Sequence, residues 1–277
     1  MTPDSRQTTS GVRAGAALAA LLAASALIAP LAARAGDPAP GHGRFLERTV
    51  EVGGQRHGYR VFVPARSAGG ERPPVILFLH GSGERGDDGD SPTRVGLGPH
   101  VRRHAGDFPA IAVFPQAPAD TEWSDSAAIA WAALDAATAE FGGDRDRTYL
   151  TGISMGGYGT WELALAQPQR FAAIAPVCGG IVAPAHRPTL RVEAVSGETD
   201  PYAAAAQRLR DVPTWIFHGA LDDLVLPEQS RRMAAALEAA GAADARYTEF
   251  PDANHNSWDP AYATPELWQW MFAQRRH

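Results

Sequence analysis

The 277-residue sequence predicts an α/β fold: a mostly parallel central sheet flanked by helices on both faces. Three observations carry this. Short apolar, β-rich runs alternate with helical stretches along most of the chain, as when strands are joined by covering helices. Several of those runs are apolar at nearly every position, which suits strands buried on both faces. The helical stretches carry readable start and stop signals.

The elements follow in order. Residues 1–13 carry Arg6 and Arg13, and residues 14–33 read AGAALAALLAASALIAPLAA without a charge. Ala33-Arg34-Ala35, a small-x-small site, precedes Gly36. This is the layout of a secretory signal peptide. The run is mostly alanine and Pro30 interrupts it, which argues for removal over a membrane anchor. The expectation is a signal peptide over 1–35 and one catalytic domain over 36–277. The product is then secreted or periplasmic, with no stable membrane association. Residues 36–44 read as a flexible lead-in.

Strands are predicted over 58–63, 75–79, 110–114, 148–151, 172–177, 214–217 and 245–250. A helix capped by Ser124 or Ser126 runs through AAIAWAALDAATAEF and stops at Gly142-Gly143. Pro227 opens another helix, which Gly241 ends. Thr264-Pro265-Glu266 starts a last helix with Leu267, Trp270 and Met271 on one face. Residues 81–107 and 179–211 read as long loops, the second with a short helix over 198–209.

The net charge is −6, and no basic cluster is visible, which argues against a nucleic-acid partner. A single cysteine, Cys178, excludes an internal disulfide. Its apolar surroundings, FAAIAPVCGG, suit a buried, inert thiol.

The chemistry-bearing segment is TYLTGISMGGYGTWELALAQ, residues 148–167. An apolar strand enters Gly152-Ile153-Ser154-Met155-Gly156, and a helix follows: G-x-S-x-G in the context of a nucleophile elbow. The serine sits on a sharp turn, and side chains at 152 or 156 would collide with neighbouring elements. A serine hydroxyl needs a histidine base, held by a carboxylate. Behind such an elbow the chain order is serine, acid, histidine.

Of nine histidines, only His255 and His277 lie late enough, and His277 is the last residue. His255 lies in a polar turn after the last predicted strand. Asp222 and Asp223, in the turn after the strand at 214–217, are both candidates for the acid. His80 and His218 read as structural hydrogen-bonders. The oxyanion donors are expected from the backbone N–H of Met155 and of Ser82, with Gly83 the neighbouring alternative. Gln116 and Trp123 follow the strand at 110–114 on the same sheet edge and are candidates for substrate contact.

Together these residues resemble the α/β-hydrolase superfamily. Within it they are similar to a bacterial secreted group that includes predicted peptidases and enzymes like feruloyl esterases and polyhydroxybutyrate depolymerases. The resemblance rests on LHGSGERGDD (79–88), FPQAP (114–118) with Trp123, TGISMGGYGTW (151–161), FHGALDD (217–223) and HNSWDPAY (255–262). It implies a Ser-His-Asp serine esterase that hydrolyses carboxylic esters through an acyl-enzyme on Ser154, with no cofactor. It also favours Asp222 as the acid, the first Asp after His-Gly-x-x. Two features depart from the pattern: Leu-Val-Leu-Pro replaces Val-Val-Pro after the acid, and residues 181–211 are longer than in the group.

A prolyl-oligopeptidase-like serine peptidase and a non-catalytic ester- or polymer-binding relative are the alternatives. No metal site is expected. Asp87, Asp88 and Asp90 lack a full calcium-loop pattern. His100 and His104 lack the glutamate of a zinc-protease motif, and both read as solvated surface.

Overall fold

A glycine pair makes the first hairpin. Gly53 and Gly54 take φ of +59° and +76°, and Val52 pairs with Gln55 across them. Two residues at positive φ form the tight turn whose twist matches that of the flanking strands. The turn joins β1 (Arg44–Val52) to β2 (Gln55–Val63). The computed structural model describes residues 41–65 and 70–276. The expected signal peptide and its boundary at Gly36 lie outside the described residues.

Strand β1 was not expected, and β2 starts three residues before the expected strand. The alternation Thr49-Val50-Glu51-Val52 before Gly53-Gly54 is the signal for both. The remaining strands fall where the apolar runs predicted them: β3 (Val75–Leu79), β4 (Ile111–Pro115), β5 (Thr148–Ile153), β6 (Ala173–Val177), β7 (Thr214–Gly219) and β8 (Ala245–Phe250).

The eight strands form one sheet in the order β1-β2-β4-β3-β5-β6-β7-β8. The β1–β2 and β2–β4 pairs are antiparallel, and the others are parallel. Period-two alternation divides the core between the two faces. Val75, Leu77 and Leu79 join one apolar layer, with residues of α2 (Trp123–Phe141), α3 (Met155–Ala166), α4 (Pro201–Leu209) and α5 (Glu228–Ala239). Ile76 and Phe78 join the other, with α1 (Leu97–Arg103), α6 (Trp258–Ala263) and α7 (Pro265–Ala273). Burial on both faces explains why β3 is apolar at every position.

Helix α2 begins before the expected serine caps. Glu122 is its N-cap and forms a capping box with Asp125, whose Oδ2 accepts the Glu122 N–H at 3.2 Å. Ser126 is instead buried and bonds Thr121 Oγ1 at 2.8 Å. Pro227 is the cap of α5 rather than its first residue, and Gly241 follows that helix at φ +72°. Asp200 caps α4 by accepting from Tyr202 and Ala203 N–H. Helix α7 follows Thr264 as expected, burying Leu267, Trp270 and Met271.

Helix α1 lies inside the stretch read as a long loop. It buries His100, which is 6% exposed and stacks on Trp268 at 4.9 Å. That overturns the solvated reading for His100, while His104 stays half exposed. Among the described residues, no helix is long and apolar enough to cross a membrane.

Strand order reverses at β3 and β5. Loops leaving the carboxyl ends of adjacent parallel strands diverge there and leave a crevice, the usual ligand position in open α/β sheets. Ser82 follows β3 and Ser154 follows β5, so both flank that crevice.

Candidate active site

Ser154 has φ +53° and ψ −116°, a conformation side chains rarely adopt. Its N–H bonds Val177 O at 3.0 Å, and its own carbonyl accepts from Gly157 and Tyr158 N–H at 2.8 and 3.1 Å. These bonds pin the elbow from both sides. A Cβ at Gly152 would overlap Gly156 O, and one at Gly156 would overlap Leu79 O. Both positions therefore need glycine.

The loop after β8 delivers His255. Gly219, at the end of β7, lets this loop pack close, since a Cβ there would overlap the carbonyls of Ala253 and Asn254. Leu221 N–H bonds Ala253 O at 2.9 Å and ties the turn after β7 to the histidine loop. In this setting His255 Nε2 lies 2.8 Å from Ser154 Oγ, and its Nδ1 lies 2.7 Å from Asp222 Oδ2. Trp258 meets the imidazole edge-on, ring centres 5.6 Å apart.

Asp222 is buried and Asp223 is exposed. Asp222 Oδ1 accepts the N–H groups of Leu224 and Val225 at 3.0 and 2.9 Å. Its Oδ2 lies 3.1 Å from His218 Nε2. Burial opposes ionisation of this carboxyl, but bonds from His218 and His255 outweigh it and hold the group well below the usual carboxylate range. His218 is a structural hydrogen-bonder, as its place at the end of β7 suggested.

Ser82 opens a short 3₁₀ turn after β3, and Met155 is the first residue of α3. First-turn N–H groups have no intrahelical acceptor, so both can donate to an anion. The loop that carries Ser82 is held from below. His80 is fully buried; its Nδ1 lies 2.6 Å from Gly81 O and its Nε2 accepts Ala117 N–H at 3.0 Å. Burial pushes its pKa down to about 4.

Trp123 and Gln116 do not line the site, contrary to expectation. Trp123 is 1% exposed and donates its indole N–H to His80 O at 3.0 Å. Gln116 is 3% exposed. Its Oε1 accepts Gly89 N–H at 2.6 Å, and its Nε2 donates to Glu84 O at 2.9 Å. Gln116 Nε2 also donates to Asp88 Oδ1 at 3.3 Å, so the polar groups of both side chains are spent within the protein and hold the loop rather than meet a ligand.

Arg187 and Glu122 were not anticipated. Arg187 reaches in from the loop after β6, and its Nε and Nη2 donate to the two Glu122 carboxylate oxygens at 3.0 Å each. Its Nη1 donates to Ser82 Oγ. The capping-box spacing of Glu122 and Asp125 could have marked Glu122, whereas nothing local marks Arg187.

Cys178 is fully buried beneath the elbow, and burial pushes its thiol far above the ordinary range, as suits an inert group. Asp88 Oδ1 accepts Asp90 N–H and Ser91 N–H, and its Oδ2 accepts the Ser91 hydroxyl. Asp90 pairs with Arg60 and Arg94. Among the described residues, no group of three or more His, Cys, Asp or Glu is placed to hold a metal ion.

The prolyl oligopeptidase family matches residues 187–273, which include Asp222 and His255. No curated protein sequence matches the chain. Among solved structures, a thermostable esterase is 30% identical with a TM-score of 0.70, over 84% of this chain and 63% of that one. An acylaminoacyl peptidase of Pyrococcus horikoshii is 16% identical with a TM-score of 0.64, over 85% of this chain and 42% of that one. A ferulic acid esterase is 17% identical with a TM-score of 0.63, over 84% of this chain and 98% of that one. The chain thus spans under two thirds of the length of the first two. With its eight-stranded, mostly parallel sheet and its serine elbow, the chain has the α/β-hydrolase fold.

Proposed function

We propose that the chain is an exported serine hydrolase that cleaves carboxylic esters through an acyl-enzyme on Ser154. One observation carries the reading: His255 lies between Ser154 Oγ at 2.8 Å and Asp222 Oδ2 at 2.7 Å. A nucleophile, a base and a group that orients the base stand in hydrogen-bonded series.

Ser154 Oγ attacks the ester carbonyl carbon while His255 Nε2 takes the hydroxyl proton. The carbonyl oxygen becomes an oxyanion, received by the N–H groups of Ser82 and Met155. Collapse breaks the bond to the alcohol oxygen, which leaves with the proton from His255. Water then attacks the acyl carbon and gives a proton to the same nitrogen. A second collapse frees the acid and returns the proton to Ser154. Asp222 stays ionised throughout, holding Nδ1–H and stabilising the imidazolium.

Replacing Ser154 with Ala is expected to abolish hydrolysis of p-nitrophenyl acetate with an unchanged circular dichroism spectrum. Retained activity would reject the reading. A peptidase is the second reading, favoured by the prolyl oligopeptidase match over 187–273. The 30%-identical esterase supports ester cleavage instead. Acyl esters of increasing length, feruloyl esters and peptide amides distinguish the two, with kcat/KM for esters expected to be highest. For export, the protein recovered outside the cytoplasm should begin at Gly36, and an unprocessed cytoplasmic chain would overturn that part.

A further inference from the structure

The Ser82 hydroxyl has a cation on one side and, among the described residues, no protein acceptor on the other. Arg187 Nη1 donates to Ser82 Oγ, so that oxygen is the acceptor and its own proton must face elsewhere. The described residues supply no acceptor for that proton. Meanwhile the guanidinium is also held through Nε and Nη2. Nε and Nη2 grip Glu122 bidentately at 3.0 Å, and Nη2 also lies 3.8 Å from Met155 Sδ. Glu122 is fixed in turn by Thr189 Oγ1 at 3.2 Å and by its place at the head of α2. The two charged side chains are only 22% and 11% exposed.

Arg187 thus touches both residues expected to supply the backbone oxyanion donors, Ser82 and Met155. We propose that the Ser82 hydroxyl is a third donor to the developing oxyanion, with Arg187 as the positioning residue that orients and polarises it. The proposal rests on Ser154 being the nucleophile. A hydroxyl that accepts from a cation becomes a stronger donor through its own proton. It also loses the free rotation that would otherwise dilute its effect. Only a guanidinium can grip Glu122 with two nitrogens and still present a third to Ser82, so lysine cannot replace it. Glu122 neutralises the charge, leaving the serine proton as the group aimed at substrate.

The test is a double-mutant cycle on ester hydrolysis, with Ser82→Ala, Arg187→Met and the pair. Ser82→Ala keeps the backbone N–H and should lower kcat about 10- to 100-fold, with KM changing less than about threefold. Ser82→Thr, which keeps a hydroxyl, should recover most of the loss. Arg187→Met should lower kcat about 10-fold alone and cause no further loss in the Ser82→Ala background. If Arg187→Met does not fold because Glu122 is left unpaired, Arg187→Met with Glu122→Gln takes its place in the cycle.

A Ser82→Ala enzyme within about threefold of wild type overturns the proposal, as do losses that simply multiply across the cycle. Full activity in Ser82→Ala, in an enzyme that Ser154→Ala inactivates, sinks this inference and spares the nucleophile. Activity that survives Ser154→Ala sinks both.

Discussion

His218 and Asp222 form a pair with no solvent exposure of either side chain, His218 Nε2 lying 3.1 Å from Asp222 Oδ2. The same oxygen faces His255 Nδ1. His218 Nε2 also lies 2.8 Å from Val225 O, and its Nδ1 lies 2.6 Å from Ser230 Oγ. With Nε2 facing two acceptors, the proton belongs on Nε2, and Ser230 donates its hydroxyl proton to Nδ1. Asp222 therefore receives N–H donors on both oxygens, and its direction is fixed before any substrate arrives.

Replacing His218 with Phe fills much of the space but supplies no N–H. The expected result is a kcat about 10-fold lower, because Asp222 then orients His255 less firmly. The folded pKa of Asp222 lies below its unfolded value of 3.8. Its stabilisation is therefore present above that value and fades as pH falls through the lower folded one. Removing His218 raises the folded pKa and shrinks this contribution. The acid-unfolding midpoint, followed by fluorescence, should move to higher pH. An unchanged kcat and midpoint would show that His218 only fills space.

The adjacent aspartates should respond differently. Asp222→Asn keeps the shape but holds His255 in the wrong tautomer, with an expected fall in kcat of about 10⁴-fold. Asp223 is exposed, and Asp223→Asn should stay within about twofold of wild type. Steady-state kinetics on p-nitrophenyl acetate decides the matter, and the opposite ranking would move the acid to Asp223.

Two buried histidines set a pH window for stability. His80 and His100 each have a pKa pushed down to about 4 from 6.5, burial being the largest cause in both. Their unfolded states bind protons first as pH falls. The stability each contributes is complete above about pH 6.5 and is lost as pH falls through 4. For His80 the shift corresponds to about 3 kcal/mol. Tm should therefore fall steeply between pH 6.5 and 4. His100→Phe keeps the stack on Trp268 and should flatten part of that slope; an equal slope in the variant would exclude His100 as a contributor.

How much of this could be read from the sequence depends on how local each signal is. The central strands were legible because burial on both faces writes itself as unbroken apolar runs, as in Val75–Leu79. Ser154 was legible because its turn needs glycines two residues to either side. His255 followed from chain order alone. The residues alone left Asp222 and Asp223 open and only the motif resemblance favoured Asp222; the fold separates them because adjacent residues in a turn point apart, one buried and one exposed. Hairpin β1–β2 had a readable turn, but its strands are only half-buried and lack a strong apolar run. Helix α1 is short and set among Gly, Asp and Arg. Arg187 was invisible because its partners Ser82 and Glu122 lie 105 and 65 residues away.

Trp123 provides the sharpest contrast between a residue that lines a pocket and one that supports it. Its indole N–H is bonded to His80 O, the carbonyl just before the Gly81-Ser82 segment. Trp123→Phe keeps most of the buried apolar volume and leaves that carbonyl without its donor. Loss of a buried partner costs about 1–3 kcal/mol, which lowers Tm by about 2–4 °C per kcal/mol for a domain of this size. A loosened Ser82 loop should also lower kcat several-fold, since oxyanion donors act only when held in place. Because the ring is buried, KM should stay within about twofold for acetate, butyrate and octanoate esters alike. A KM that changed with acyl length would return Trp123 to the pocket wall; a fall in kcat and Tm at constant KM would fix it as the support of the oxyanion loop.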